Sequence, residues 1–408
     1  MIHSFTFKNF CSFAEMATIS FVDIRKGIET KSNMFCDSPS GERLSKVTTL
    51  IGPNASGKTS ALKALAFLSW FVNNSFIGLK GEEEIPLDAF AFSDSKDHIS
   101  EFELIFEHVG GVYKYVVHLC KTHVVLEELY SKQESQHFSY LFKREWNTEN
   151  QITEITQRVP GLKSEIANEV LRKNVSLIAA SVAIKNEALS DISKFWQSII
   201  SNVYRMGKSW DTSSLGKEKL FDAAKDYKSN NNLFQKTVHF LKDIDLGLDD
   251  IKIEEGEAHH AKTGEIKKVY LPCGVHKVEG KEYYLPFAFE SSGTKNMFVL
   301  LTYLFPVIEQ GGIAVIDELE IDLHPHTLPR IIELFGNPEA NPNNSQLLFT
   351  SHSLEILNQL EKEQIVLVEK NKECKSELYR LDTLKGVRRD DNIYAKYMAG
   401  AYGAVPNI

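Results

Sequence analysis

The sequence has little cysteine, and what it has shows no pairing pattern. Five cysteines are scattered over 408 residues, an odd number without a C-x-x-C pair: Cys11, Cys36, Cys120, Cys273 and Cys374. A secreted protein stabilised by disulfides carries an even, closely spaced set. The pattern therefore predicts a reduced, cytoplasmic setting.

Long apolar runs are also missing. The longest strongly apolar stretch, Ala61 to Val72, is interrupted by Lys63 and is too short to span a bilayer, so it indicates a buried helix. Residues Met1 to Phe10 alternate in polarity as a strand does and do not resemble a signal peptide. We expect no membrane association.

An excess of positive charge is the third absence. The net charge is −9 and the isoelectric point is about 5.9. These values argue against a surface coated with basic residues for non-specific nucleic-acid binding, although local basic patches remain possible. The composition, 43% hydrophobic and 25% charged, is that of a soluble globular protein.

One stretch has the complete pattern of a phosphate-binding loop. Gly52 to Thr59 fits G-x-x-x-x-G-K-[ST], between the β-branched run Val47 to Ile51 and the helical run that starts at Ala61. The glycines allow backbone N–H groups to surround a β-phosphate. The Lys58 ammonium then reaches the β- and γ-phosphates and the Thr59 hydroxyl binds Mg²⁺, unless this is an ordinary glycine-rich turn. The residues expected to bind nucleotide here are Asn54, Ala55, Ser56, Gly57, Lys58, Thr59 and Ser60.

A second strand supplies acidic residues. The apolar run Ile313 to Ile316 reads as a buried parallel strand and is followed by Asp317 and Glu318. A P-loop enzyme needs one acid to hold the Mg²⁺ shell, here Asp317, and one to polarise the attacking water, here Glu318. The alternative is a strand that ends in a solvated acidic turn.

Two further segments complete the candidate site. Ser291 to Thr294 is a loop of small residues that opens a helix, and its N-terminus offers a second phosphate-binding end through Ser292, Gly293 and Thr294. The strand-like run Gln346 to Phe349 leads to His352, which is placed to contact a γ-phosphate and sense its loss. A lone histidine at a strand end is usually structural. The order of the motifs along the chain favours the functional interpretation.

The motifs together resemble those of ABC-type ATPases: Walker A, signature loop, Walker B, D-loop at Leu323-His324-Pro325, and switch histidine. More closely, the chain resembles the ABC-like branch of AAA proteins from bacterial anti-phage and abortive-infection loci, as in PARIS-, AbiL- and Septu-type systems. The matching pieces are Asn9-Phe10, Gly52 to Ser60, Phe102 to Leu104, Tyr113 to Tyr115, Glu127 to Tyr130, Ser291 to Thr294, Asp317 to Glu320, and Tyr402 to Pro406.

The resemblance has departures. Ser-Ser-Gly-Thr replaces the Leu-Ser-Gly-Gly-Gln of transporters, which excludes a transporter role. Ile321-Asp322 stands where this group often has small residues. Ser93 and Gln136 lie in the region where a Q-loop glutamine is expected.

The resemblance implies an α/β fold, a P-loop NTPase of ABC-ATPase type with a mixed or parallel sheet, an antiparallel β-subdomain and a helical insertion. We expect residues 1–150 to form the N-terminal ATPase lobe, 151–250 a mainly helical insertion, and 251–408 the C-terminal lobe that completes one ATPase domain. Within the insertion, spacings of three and four residues predict helices through Leu171, Val175 and Ile178 and from Ile192 to Ile199.

The resemblance also implies ATP and Mg²⁺ as cofactors and a slow, regulatory hydrolysis. Two or more copies are expected to close around ATP, with Ser292, Gly293 and Thr294 acting on the partner's nucleotide. The first functional hypothesis is a sensor or scaffold subunit of anti-phage defence, controlling a separate Toprim-like or HNH-like effector nuclease and triggered by nucleic acid or a phage protein. The alternative is an SMC-like ATPase of DNA-end repair or recombination. Phosphate contacts would then come from Lys385, Arg388 and Arg389, or from the region Lys262 to Lys281.

Overall fold

The structure is a computed structural model that describes residues 1–24, 33–92, 99–132, 137–162, 171–204, 207–208, 215–244, 247–259, 266–320 and 322–405. Ser93, Gln136, Lys262, Ile321 and Pro406, which are named in the sequence analysis, lie outside these ranges. In the described part, no helix is both long enough and apolar enough to cross a membrane.

The first part of the chain contains an antiparallel sheet and the strand that enters the P-loop. Its elements are β1 (Ile2–Lys8), β2 (Ala17–Ser20), β3 (Phe35–Asp37), β4 (Arg43–Ser45), β5 (Val47–Ile51), α1 (Lys58–Gly78), β6 (Ser100–His108), β7 (Gly111–Leu119), β8 (Val124–Lys132), β9 (Ser139–Asn147) and β10 (Ile152–Gln157). Seven strands form one sheet in the order β10-β9-β8-β7-β6-β1-β2, with antiparallel neighbours throughout. The antiparallel β-subdomain implied by the resemblance is therefore present.

The middle of the chain contains both helices and strands. It comprises α2 (Leu177–Ala183), α3 (Glu187–Gln197), β11 (Ile199–Ser201), β12 (Val203–Tyr204), β13 (Gly207–Lys208), α4 (Leu215–Ser229), α5 (Asn231–Asp243), β14 (Asp250–His259), β15 (Ile266–Val278) and β16 (Lys281–Pro286). The Asn230 side chain accepts a hydrogen bond from the Leu233 amide and caps α5. β14, β15 and β16 form a separate antiparallel sheet.

The last part supplies most of the central sheet. Its elements are α6 (Ser292–Gln310), β17 (Ile313–Ile316), α7 (Thr327–Gly336), β18 (Gln346–Thr350), β19 (Ile365–Lys370), β20 (Ser376–Arg380) and α8 (Ile393–Met398), with 3₁₀ turns at Phe287–Phe289, Leu354–Asn358, Lys362–Gln364 and Leu381–Thr383. The central sheet has the order β11-β17-β18-β5-β19-β20. All its neighbours are parallel except β19 and β20.

The central sheet separates two hydrophobic cores. On β5, Leu50 faces the first core, which contains α1, α2, α3 and the inner face of the seven-stranded sheet. Val47 and Ile51 face the second core, which contains α4 to α8. Successive side chains of a strand point to opposite faces, so a strand covered on both faces is buried along its whole length. All five residues of β5 are buried, and the sequence signal for this strand was its β-branched residues.

Two helical predictions in the middle of the chain are wrong. Ile199, expected on a helix with Ile192, begins β11 because α3 ends at Gln197 and residues 199–201 pair with β17. Leu171 and Val175 precede α2, which begins only after the N-cap Ser176. Tertiary hydrogen bonds hold this segment in a non-helical turn, among them those from the side-chain amide of buried Asn174 to the carbonyls of Lys80 and Glu83.

A buried ion pair fixes this segment to the seven-stranded sheet. The Arg144 guanidinium lies 3.0 Å from the Glu127 carboxylate, and both side chains are fully buried. The carboxylate also accepts hydrogen bonds from the Tyr115 and Ser176 hydroxyls, at 2.9 and 2.8 Å. Arg144 donates to the Arg172 carbonyl at 3.0 Å. Each charge is therefore paired and hydrogen-bonded, as a buried charge requires.

Replacing Arg144 with alanine is expected to destabilise the protein by about 3–5 kcal/mol, because it leaves the Glu127 carboxylate buried without its counter-charge. Urea unfolding measures the change. The matched control is Lys143→Ala, which removes a partly exposed ion pair with Glu128 and is expected to cost at most about 1 kcal/mol. Equal destabilisation by the two substitutions would contradict the role given to the buried pair.

Candidate nucleotide-binding site

The loop between β5 and α1 has the backbone of a phosphate-binding nest. Ala55 and Gly57 have φ angles of 59° and 115°, and Gly57 is the N-cap of α1, so no side chain occupies the acceptor position at the helix start. A Cβ at Gly57 would lie 2.4 Å from Ser376 Oγ. Glycine is therefore required here both by φ and by space. The first N–H groups of α1 stay available to an anion.

Lys58 lies folded against its own loop. Its ammonium donates to the carbonyls of Gly52 and Pro53, at 2.8 and 3.0 Å, and the residue is only 7% exposed. Burial lowers the pKa of Lys58, while the carboxylates of Asp317 and Glu318 act in the opposite direction. The ammonium is thus placed in the loop where a phosphate would replace the carbonyls as its partner.

Asp317 is held beside Thr59 by a network of polar contacts. Thr59 Oγ1 donates to Asp317 Oδ2 at 2.9 Å, and Thr350 Oγ1 donates to Oδ1 at 2.5 Å. The Asn202 side chain accepts from the Asp317 amide at 2.8 Å and donates to its carbonyl at 3.1 Å. A hydroxyl and a carboxylate oxygen side by side are the ligand types that Mg²⁺ prefers. Thr59 and Asp317 therefore fit a magnesium ion.

Glu318 and His352 lie together at the same end of the loop. Glu318 has a φ of 49°, and its amide donates to Thr350 Oγ1 at 2.7 Å. Its carboxylate Oε1 is 3.8 Å from His352 Nε2, and the two side chains are 24% and 44% exposed. The His352 amide donates to the Glu320 carboxylate. The Glu318 carboxylate, which is open to water, and the His352 imidazole thus lie on the same side of the P-loop.

These groups line one cavity of about 480 Å³. The predicted site residues that line it are Asn54, Ala55, Ser56, Gly57, Lys58, Thr59, Ser60, Asp317, Glu318 and His352. Two further lining residues, Ser12 and Lys370, were missed by the sequence analysis. The sequence signal for Lys370 is a basic residue at the end of an apolar strand. That signal points to the cavity only if β19 is known to pair with β5.

The predicted signature residues are placed elsewhere. Ser292, Gly293 and Thr294 are not among the residues that line the cavity. Ser291 caps α6 by accepting from the Thr294 amide at 3.1 Å, and Thr294 is only 2% exposed. A Cβ at Gly293 would lie 2.7 Å from the Asp322 carbonyl oxygen. The loop therefore packs closely on the segment after Glu318, with its first residues facing outward.

Residues 47–358 match the family model described as "AAA domain, putative AbiEii toxin, Type IV TA system". The chain belongs to this AAA family. The matched range contains the P-loop, the signature loop, the acidic strand end and His352. Family membership, the parallel central sheet and the antiparallel β-subdomain confirm the predicted α/β fold of a P-loop NTPase.

Solved structures of the recombination mediator protein RecF of the RecFOR pathway are similar to this AAA protein. The structure titled RecF-ATP has 12% identity over 86% of this chain and 93% of that chain, with a TM-score of 0.30. The structure titled RecF-ATPrS has 10% identity over 93% and 98%, with a TM-score of 0.32. Values this low carry no conclusion about function. No curated protein matches the chain.

Proposed function

We propose that this AAA protein binds ATP with Mg²⁺ and hydrolyses it to ADP and phosphate. The observation that supports this most is the convergence of Thr59, Asp317, Glu318 and His352 on the P-loop cavity, from segments about 260 to 290 residues apart in sequence. Parallel strands place their carboxyl ends at one edge of a sheet, which is where open α/β proteins bind ligands. β5, β17 and β18 do so here.

Each residue has a distinct role in this proposal. Lys58 and the N–H groups of the loop neutralise the β- and γ-phosphates. Thr59 and Asp317 would hold Mg²⁺, which supplies positive charge to the phosphate oxygens when bound. Glu318 takes a proton from the water that attacks the γ-phosphorus as the bond to the β-phosphate oxygen breaks. His352 contacts the γ-phosphate.

The signature loop is proposed to act on a second copy of the chain. Ser292 and Gly293 do not line the cavity of their own subunit, and Ser292 is exposed at the start of α6. Two copies arranged head-to-tail would place each loop over the partner's ATP and form two equivalent sites related by a two-fold axis. ATP then becomes part of the interface.

The cellular role proposed is that of a sensor or scaffold subunit in anti-phage defence, of the PARIS, AbiL or Septu type, which controls a separate Toprim-like or HNH-like nuclease. The family description, which names a putative toxin of a TA system, supports a defence role. The alternative role in DNA-end repair is disfavoured by charge pairing, because Lys268 and Lys277 form ion pairs with Glu255 and Glu282, at 2.6 and 3.9 Å. Phosphate contacts by these two lysines would have to replace these ion pairs.

Co-expression of the tagged chain with the nuclease encoded by an adjacent gene tests this role. The expected result is a complex that co-purifies in fixed stoichiometry and changes its nuclease activity on addition of ATP and Mg²⁺. ATP hydrolysis that is stimulated by DNA ends in a salt-dependent manner, with no nuclease bound, would instead favour the repair role. In that case Lys385→Ala should reduce the stimulation by DNA, since it removes one exposed basic residue of the proposed DNA contacts.

A further inference from the structure

Lys370 lines the nucleotide cavity from the side opposite the catalytic groups. It is the last residue of β19, which pairs with β5 on the flank away from β18 and β17. Asp317, Glu318 and His352 follow β17 and β18. The P-loop thus lies between an acidic side and a side that carries one lysine.

The wall on the Lys370 side is built from three separate segments. Ser376, opposite Lys370 in the β19–β20 register, donates from its hydroxyl to Ser12 Oγ at 2.7 Å and from its amide to the Ser12 carbonyl at 2.8 Å. Ser12 comes from the loop between β1 and β2. Both hydroxyls lie within 3 Å of where a Cβ on Gly57 would be. This side of the P-loop is therefore closely packed, with Lys370 beside it.

The direction of a bound nucleotide follows from the sheet order. The γ-phosphate belongs at the end defined by Glu318 and His352, and the β-phosphate over the P-loop amides. The rest of the molecule must then extend towards β19. Neighbouring strands are about 4.8 Å apart, so the end of β19 lies within reach of an α-phosphate by a lysine side chain.

The charges of the lining residues favour an anion at this position. Lys58 and Lys370 are the lysines among the lining residues, and Asp317 and Glu318 are the acids. In the described part of the chain, no hydrogen bond or ion pair occupies the Lys370 ammonium. The nearby Lys375, by contrast, is paired with Glu373 at 2.8 Å. An unpaired ammonium beside the P-loop is a ready partner for a phosphate oxygen.

We propose that Lys370 binds the α-phosphate of the nucleotide and so positions ATP and ADP alike without taking part in hydrolysis. This rests on the proposed ATP site. Because the contact lies away from the γ-phosphate, it contributes the same binding free energy to the diphosphate and the triphosphate. It thereby separates nucleotide retention, which Lys370 controls, from hydrolysis, which Glu318 controls.

Calorimetric titration with ADP and with a non-hydrolysable ATP analogue, both with Mg²⁺, tests this role. Lys370→Ala is expected to raise both dissociation constants by the same factor, about tenfold, as the loss of a charge-assisted hydrogen bond implies. KM for ATP should rise similarly while kcat stays within about twofold, and Lys370→Arg should retain most of the affinity. The control is Lys372→Ala, an exposed lysine two residues on that does not line the cavity.

Three outcomes would overturn the role of Lys370. Unchanged dissociation constants would make it a solvated lysine at a strand end. Weakened binding of the triphosphate alone would place the ammonium at the γ-phosphate. A fall in kcat with unchanged KM would make it part of the hydrolytic machinery. If the wild-type chain binds neither nucleotide, the proposed ATP site itself fails, which is a separate result.

Discussion

Glu318→Gln is expected to bind ATP with the wild-type dissociation constant and to hydrolyse it at least about 100-fold more slowly in a single turnover, the lower range for loss of a general base. The Glu318 amide is held by the Thr350 hydroxyl at 2.7 Å, so the glutamine side chain can occupy the same place. It lacks only the capacity to accept the proton of the attacking water. Rapid-quench measurement with excess protein isolates this step from product release.

The matched control is Glu355→Gln, which removes an exposed acid from the turn that follows His352. Its single-turnover rate should equal that of the wild type. Thr59→Ala provides a second comparison, because loss of a hydroxyl that fits Mg²⁺ should weaken the response to added Mg²⁺ as well as the rate. A Glu318→Gln rate within twofold of the wild type would contradict the role of this carboxylate.

A mixture of Lys58→Ala and Ser292→Arg chains is expected to regain ATPase activity that neither variant shows alone. In a head-to-tail dimer the heterodimer has one site with both substitutions and one with none. Equal mixing makes half of the dimers heterodimers, so the recovered rate should be about a quarter of the wild-type rate if the two sites act independently. Ser292 is exposed, so arginine there should block the approach of a partner and leave the fold intact.

The same design contains its own controls. Each variant measured alone at the total concentration of the mixture should remain inactive, and a mixture of Lys58→Ala with wild type should only dilute the activity. Circular dichroism of Ser292→Arg checks that its helices are retained. Absence of recovery after the subunits have been allowed to exchange would show that the signature loop does not complete a partner's site.

The parts of the site that could be predicted from the sequence are those determined by residues close together in the chain. The P-loop is specified by glycine backbone conformations and by the strand and helix that flank it, and Asp317 by the end of an apolar strand. That Thr59 and Asp317 contact each other, 258 residues apart, follows from parallel strands ending at one sheet edge. The predictions for ATP, Mg²⁺ and each residue's role go beyond geometry and stay predictions.

The missed residues depend on strand pairing that local patterns do not show. Asn202 holds the Asp317 backbone only because the three-residue strand β11 joins the sheet beside β17. Ile199, the first residue of β11, also fits the helical spacing of the preceding segment. Its pairing with β17 makes it a strand residue and not the end of that helix. Lys370 and Ser12 reach the cavity through the β19–β20 pair and its contact with the β1–β2 loop. Such contacts require the tertiary structure.

Because the signature loop does not line the cavity of its own subunit, the proposed ATP site depends on the assembly of two subunits. Sedimentation analysis of the Glu318→Gln chain, with and without ATP and Mg²⁺, measures it directly, since this variant should retain its ATP. The expected result is twice the monomer mass of 46.2 kDa, or a larger even multiple, with ATP, and dissociation on exchange to ADP. A chain that keeps the same mass with saturating ATP, with ADP and without nucleotide would contradict a site completed by a second subunit.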